Sequence, residues 1–336
     1  LALAHGTRDG TDALFLRIEH QGRTGYGEVT LPPYLGIAPK AVLKELQGLV
    51  EEGVESLLLK SLSTSHGSDP VGISAPLRAG LNMAFNDLMA KRKGVSMNHW
   101  IDAAEKPQGG QTPVNVFTLT SSDLNDMSGT LSKIPEGIGL KLKVGSADDV
   151  PLVEAVAAAY DGPVLLDGNQ GCPSVDHVLK LVGILGEQRV LGIEQPFAPG
   201  GVDLHADLAS RTRVAVIADE AVRGPKDLEA AAKVYGGVNI KLIKCGGLDR
   251  AGWMIRRARE LGMQVMLGCM SESSLGCAAI ACLGPGADIL DLDGPWLLAN
   301  DPFAGIRWEQ GAMVIQDAPG IGVDLIAQLD WIPIGA

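Results

Sequence analysis

The chain is poor in cysteine, histidine and positive charge, and each shortage removes a class of function. Its five cysteines, Cys172, Cys245, Cys269, Cys277 and Cys282, are odd in number and form no CxxC pair. They read as reduced, packed thiols rather than a disulfide framework. The six histidines, His5, His20, His66, His99, His177 and His205, show no close ligand spacing among themselves or with cysteine, which disfavours zinc. Lys and Arg number 28 against 40 Asp and Glu, a formal net charge of −12, so nucleic acid is not an expected partner. No run reaches 18 apolar residues, so no membrane span is expected. No GxSxG accompanies the serines of CMSESSLG, which argues against a serine hydrolase. Gly246 and Gly247 make no GxGxxG; they are expected to let the backbone turn closely over a site. The chain opens as LALAHGTR without methionine or a charged leader. The expectation is a truncated start and a cytoplasmic location.

What is present is a series of apolar runs at nearly regular spacing. They are PVNVFTLT at 113–120, IGLKLKVG at 138–145, PVLLDGNQ at 163–170, VLGIEQPF at 190–197, VAVIADE at 214–220, VNIKLIKCGG at 238–247, MQVMLGCM at 263–270 and ADILDLDG at 287–294. The segments between most of them have the length of a helical crossover. Eight such runs make the count needed to close a β/α barrel. Ahead of them, strands over 12–19 and 24–29 joined by HQGR, with the opening run, predict a small antiparallel sheet. Helical spacing over 39–50 and 76–93 completes an α+β domain at 1–110. The loop LPPYLG at 31–36 either reaches over a site or is a surface turn. A polar boundary at 102–112 leads into a barrel at 111–305. Residues 306–336 carry a short β element at 308–317 and a tail whose Trp331 and Ile332 need a surface to pack on, the first domain being the expected one.

In a barrel of this kind all strand carboxyl ends open on one face. Asp167, Glu194 and Asp219 each end an apolar run, so three carboxylates from consecutive units are expected to converge there. Burying them without a partner is costly, and a hard divalent cation resolves that cost. Lys141 and Lys143 are two apart in one strand and share a face, and Lys241 lies on a later strand with Asn239 on its face. Lysines beside a cation and beside each other have lowered pKa values and serve as bases. Asp291 and Asp293 share a face in DLDG. They are expected to receive a cationic group such as an ammonium, the bland alternative being a solvated strand end. Two lysines with a cation between them suit proton abstraction next to a carboxylate. If they flank the carbon, one removes the proton and the other returns it with inversion.

These motifs, in order TGYGEV, KLK at 141–143, DGNQ, IEQP, ADE, NIKLIKCGG, LGCMSESSLG and DLDG, resemble the enolase superfamily. The likeness is to its muconate-lactonising-like branch and, within that, to the dipeptide epimerases. The resemblance covers nearly the whole chain. It implies a modified TIM barrel of (β/α)7β type with an N-terminal α+β capping domain, and Mg²⁺ held by Asp167, Glu194 and Asp219. It implies Lys143 and Lys241 as acid/bases on opposite faces and Lys141 as a stabiliser of the enediolate. Asp291 and Asp293 would hold the α-ammonium of a small-molecule dipeptide, L-Ala-D/L-Glu of murein turnover being the commonest. His5, Arg8 and Tyr34 are weaker candidates for side-chain choice, and association with further copies of the chain stays open. An o-succinylbenzoate synthase or a cycloisomerase would use the same scaffold without an ammonium receptor. A non-catalytic, metal-stabilised barrel would leave the three lysines unexplained.

Overall fold

In a computed structural model of the chain, residues 2–3, 6–7, 10–62, 73–101 and 112–334 are described. Strands Asp12–His20 and Arg23–Leu31 form an antiparallel hairpin. Its turn residues Gln21 and Gly22 both have positive φ, 49° and 71°, the two-residue geometry that matches strand twist. The opening run does not extend this sheet. Ala2–Leu3 pairs with Gly6–Thr7 in a two-stranded sheet of its own.

Helices Pro39–Glu52, Val54–Leu62 and Ala75–Lys93 complete this domain. The middle one has no counterpart in the sequence pattern. Its consecutive leucines blur the helical period, and Leu58, Leu59 and Leu62 stay exposed. The third helix lies on the hairpin, with Leu77, Leu81 and Phe85 packed against Leu16, Val29 and Leu31. Gly25 and Gly27 of TGYGEV make this approach feasible. A Cβ on either would run into a helix carbonyl, that of Ala84 or Gly80.

The barrel strands are Val114–Leu119, Gly139–Lys143, Val164–Asp167, Val190–Glu194, Val216–Ala218, Gly237–Ile240, Gln264–Gly268 and Ile289–Asp291. Each pairs in parallel with the next, and the eighth pairs with the first. Helices follow the first seven, the one after the fifth, Leu228–Ala231, being as short as the four-residue Gly294–Leu297 after the eighth, where the chain leaves the barrel in a (β/α)7β arrangement. Side chains alternate across the barrel wall. Leu140, Leu142, Leu166, Ile193, Ile240 and Leu267 join the large core under the helices. Val116, Leu165, Ile217, Met266 and Ile289 fill the interior as a separate apolar plug. Two residues further along the same inward columns stand Thr118, Asp167, Asp219, Gly268 and Asp291, so the plug is the floor of a polar mouth. Inward glycines make room for large neighbours. A Cβ at Gly192 would overlap Ile217, and one at Gly268 would lie 2.5 Å from Asn239 Oδ1.

The sixth run is a strand only as far as Ile240. Leu242–Cys245 is a helical turn closed by Gly246 in the left-handed conformation, φ 93°, as helix ends prefer. The glycine pair bends against the cap helix and not over the site. A Cβ at Gly247 would lie 2.6 Å from Asn82 Cγ, whose Oδ1 accepts the Leu248 N–H at 2.9 Å. Arg78 binds the Gly246 carbonyl and Asp249.

Most of the 102–112 boundary falls outside the described residues, as do His5 and Arg8. The last segment forms a hairpin, Ile306–Glu309 with Ala312–Ile315, and then crosses the first domain. Ile321 N–H donates to Asp87 Oδ1 at 2.9 Å, and the Trp331 ring centroid is 6.1 Å from that of Tyr26, with the Arg17 guanidinium 5.0 Å above it. Among the described residues no helix is long and apolar enough to cross a membrane.

Two glycine substitutions should separate close approach from mere backbone freedom. Gly27→Ala forces the helix off the hairpin and should lower stability by about 1–3 kcal/mol, as overpacking does. Gly48→Ala, inside the first helix with nothing within 4 Å of the added carbon, should raise it by about 0.5–1 kcal/mol. Urea unfolding of both variants checks the opposite signs.

Candidate active site

The barrel register sets the acids and lysines level with one another. Lys143, Asp167 and Glu194 are paired across strands two, three and four. Lys141 sits two residues deeper, 3% exposed. Its Nζ lies 2.9 Å from Asp167 Oδ2, 2.8 Å from Glu194 Oε2 and 2.6 Å from Asp291 Oδ2. Lys143 Nζ lies 2.6 Å from Asp167 Oδ2. On the far side, Lys241 Nζ is 2.9 Å from Asp219 Oδ2 and Lys244 Nζ is 2.5 Å from Asp219 Oδ1. Asn239 donates to Glu194 Oε1 at 2.7 Å. Asp293 Oδ2 accepts the Thr118 N–H at 2.7 Å. The six principal candidates and both aspartates of DLDG therefore meet in one mouth.

Around this ring the loops are strained and stitched together. Asn169, Gln170 and Gln195 are non-glycine residues at positive φ. The Gln195 side-chain oxygen accepts the Asp219 and Ala221 N–H groups at 3.0 and 3.1 Å, while its nitrogen donates to the Phe197 carbonyl at 2.9 Å. Nδ1 of buried His205 donates to the Gly201 carbonyl at 2.8 Å. That leaves Nε2 as an acceptor facing the Gln195 amide at 3.3 Å.

The electrostatics follow from burial and crowding. Burial raises Glu194, helped by Asp167, to about 7. Burial and Asp291 push Asp293 up to about 6. Burial alone would raise Asp167 and Asp219 as well, but the lysines outweigh it and hold both well below the usual carboxylate range. Two opposing effects act on Lys141 and Lys241. Burial lowers each, yet the carboxylates they touch raise both above the ordinary lysine value. Burial lowers Lys244.

Among the described residues no three His, Cys, Asp or Glu side chains stand together as a finished metal ligand set. Lys141 lies between the carboxylates instead. Glu194 Oε2 is near that ammonium but in no hydrogen-bond geometry, and Asp291 Oδ1 is likewise buried without a hydrogen-bond partner. Asp167, Glu194 and Asp219 stand at the ends of three consecutive strands, and their hard carboxylate oxygens are the donor chemistry that a divalent cation requires.

Tyr34, from the loop after the hairpin, reaches the site. Its hydroxyl is 3.7 Å from Met270 Sδ, which is 3.9 Å from Lys241 Nζ. Sequence reasoning missed Lys244, Gln195, Glu28 and Glu272. Lys244 was visible as a second lysine three positions after Lys241, hidden by reading that stretch as continuous strand. Glu28 and Glu272 are both buried, and nothing local to either sequence position signals that they meet.

Burial, with the neighbouring Glu28, raises Glu272 to about 8. The native state thus keeps a proton that the unfolded chain releases near pH 4, and this group's contribution to stability is lost as pH rises from about 4 to 8. Glu272→Gln removes that titration. Its melting temperature should fall less than the wild type's between pH 5 and 8; parallel curves would rule out a protonated Glu272.

The family model described as Enolase C-terminal domain-like matches residues 138–329. The L-Ala-D/L-Glu epimerase of Bacteroides thetaiotaomicron is 33% identical over 322 residues, covering 94% of this chain and 82% of that one. The hydrophobic dipeptide epimerase of Roseobacter litoralis is 30% identical over 335 residues, covering 96% and 94%. A solved enolase family member from Agrobacterium tumefaciens with homology to dipeptide epimerases, with bound sodium and L-Ala-L-Glu, aligns at 30% identity. Its TM-score is 0.76, over 94% of this chain and 92% of that one. Through its barrel by the family model, and through cap and barrel together by these relatives, the chain belongs to the enolase superfamily.

Proposed function

We propose that this chain is a Mg²⁺-dependent dipeptide epimerase that inverts the α carbon of the C-terminal residue by 1,1-proton transfer. The observation that carries the reading is the pair Lys143 and Lys241. Lys143 ends strand two and Lys241 directly follows strand six, opposite it in an eight-stranded ring, and each pairs with a different carboxylate. A substrate carbon between them is open to a base on either side.

Asp167, Glu194 and Asp219 would hold the Mg²⁺. When bound, it stabilises the negative charge that builds on the substrate carboxylate as the α proton leaves. Lys143 takes the proton from one epimer and Lys241 delivers one to the other face; in the reverse direction the roles exchange. Lys141, within reach of three acids, supplies a further positive charge beside the developing enediolate. Asp291 and Asp293 receive the α-ammonium, and the unpartnered Asp291 Oδ1 supports this with an unused acceptor. A synthase or cycloisomerase would leave these two buried acids without a task, and an inert barrel would leave both bases without one.

The substrate in this reading is L-Ala-D/L-Glu or a related L,L-dipeptide. The named relatives divide between L-Ala-D/L-Glu and hydrophobic dipeptides. The reading takes 1–110 as the cap, 111–305 as the barrel and 306–336 as a returning segment. It assigns the enzyme to the cytoplasm, where five free, buried cysteines remain reduced.

The decisive measurement is α-proton exchange in D₂O, followed by NMR over a panel of L,L-dipeptides with Mg²⁺. Exchange with inversion is expected, and a chelator should abolish it. Lys143→Ala and Lys241→Ala should each slow epimerisation by at least about 10²- to 10⁴-fold, while exchange from one epimer survives. Full turnover in either variant would end the two-base account. Asp291→Asn should lower kcat/KM for dipeptides by about a hundredfold, the scale of a broken buried charge pair, with Mg²⁺ binding retained by calorimetry. Unchanged kinetics would remove Asp291 from the ammonium site.

A further inference from the structure

The cap enters the barrel through one carboxylate. Glu28, on strand Arg23–Leu31, is 1% exposed. It accepts the Ser273 N–H at 3.0 Å, the Ser273 hydroxyl at 2.5 Å, the Gly276 N–H at 3.0 Å and the Thr30 hydroxyl at 2.8 Å. Ser273 is the N-cap of helix Ser274–Ala281. The first turn of a helix leaves N–H groups without intrahelical acceptors, and here an acid from the other domain supplies one. Gly276 lets it approach: a Cβ there would lie 3.0 Å from Glu28 Oε2 and 3.3 Å from Glu272 Oε1.

The turn fixed in this way is the one that packs on Lys241. Met270 N–H donates to Glu272 Oε2 at 3.0 Å, and Met270 Sδ lies 3.9 Å from Lys241 Nζ. Lys241 thus has Asp219 on one side and this turn on the other. Lys143 is held by Asp167 at 2.6 Å, and no contact in the Glu28 network includes it.

We propose that Glu28 is a positioning residue for Lys241, acting through Ser273 and the Met270–Glu272 turn, and that it leaves Lys143 untouched. This rests on the reading of the two lysines as proton carriers for opposite faces. It predicts a one-sided defect, which a general loosening of the cap does not produce.

The test compares Glu28→Gln and Ser273→Ala with the wild type in Mg²⁺ and D₂O, starting from each pure epimer of the preferred dipeptide. Lys143→Ala identifies which epimer Lys241 deprotonates. In Glu28→Gln, exchange from that epimer should fall by about ten- to a hundredfold, the scale of a misplaced reacting group, while exchange from the other stays within about threefold. Ser273→Ala removes a single hydroxyl and should show the same asymmetry at smaller size; it decides the matter if Glu28→Gln does not fold. Equal losses from both epimers, or no loss from either, would overturn the inference while leaving the epimerase reading intact. If the wild-type chain exchanged neither epimer of any dipeptide, the reading of the lysines would fall, and this inference with it.

Discussion

Everything at the barrel mouth answers to an excess of negative charge in a place with little water. Asp167, Glu194, Asp219, Glu220, Glu272, Asp291 and Asp293 are buried or half-buried there, against Lys141, Lys143, Lys241 and Lys244. Removing ions from water costs several kcal/mol each unless partners replace the solvent. The lysines do so only in part, and the remainder shows in the carboxyls pushed toward neutrality, Glu194 at about 7 and Glu272 at about 8. A site this acidic favours a divalent cation and an ammonium. Those are the two charges that a zwitterionic dipeptide and its activating metal would bring.

The sequence made the barrel legible because two periods are written into it. Alternation within each run puts Asp167 two positions beyond Leu165 and Asp219 two beyond Ile217, so the acids necessarily continue columns whose lower members form the apolar plug. The spacing between runs then closes the ring. What the period could not reveal was where a strand stops. Residues 242–245 are apolar enough to read as strand, but Gly246 closes them as a helical turn. Only that turn brings Lys244 back onto Asp219, where its Nζ also meets the Asp219 carbonyl at 2.6 Å.

Contacts between domains were illegible for a different reason. Glu28 and Ser273 are 245 residues apart, and Arg78 and Asp249 are 171 apart. No local pattern marks either end, since an acid in an alternating strand ordinarily points to solvent. The glycines Gly25, Gly27, Gly246 and Gly247 were visible, yet glycine says only that something comes close. What comes close is the helix Ala75–Lys93, packed on the hairpin by one face and tied to the barrel by Arg78 and Asn82 on another. This helix, together with Glu28 on the hairpin, ties the cap to the barrel beside the loop that brings Tyr34 to Met270.

Backbone strain is concentrated where this arrangement needs rigidity. Asn169, Gln170 and Gln195 at positive φ cost of order 1–3 kcal/mol each, and they stand shortly after Asp167 and Glu194 in the chain. They persist because the loops hold one another: Gly168 N–H bonds to the Glu194 carbonyl and Gln170 N–H to the Gln195 carbonyl, both at 2.8 Å. The Gln195 amide has a fixed orientation as well. His205, with Nδ1 committed to the Gly201 carbonyl, and the Phe197 carbonyl both require the NH₂ on their side. The oxygen must then face Asp219 and Ala221. The orientation of one buried neutral amide thus holds the backbone at Asp219 and Ala221, while Lys241 and Lys244 hold the Asp219 carboxylate.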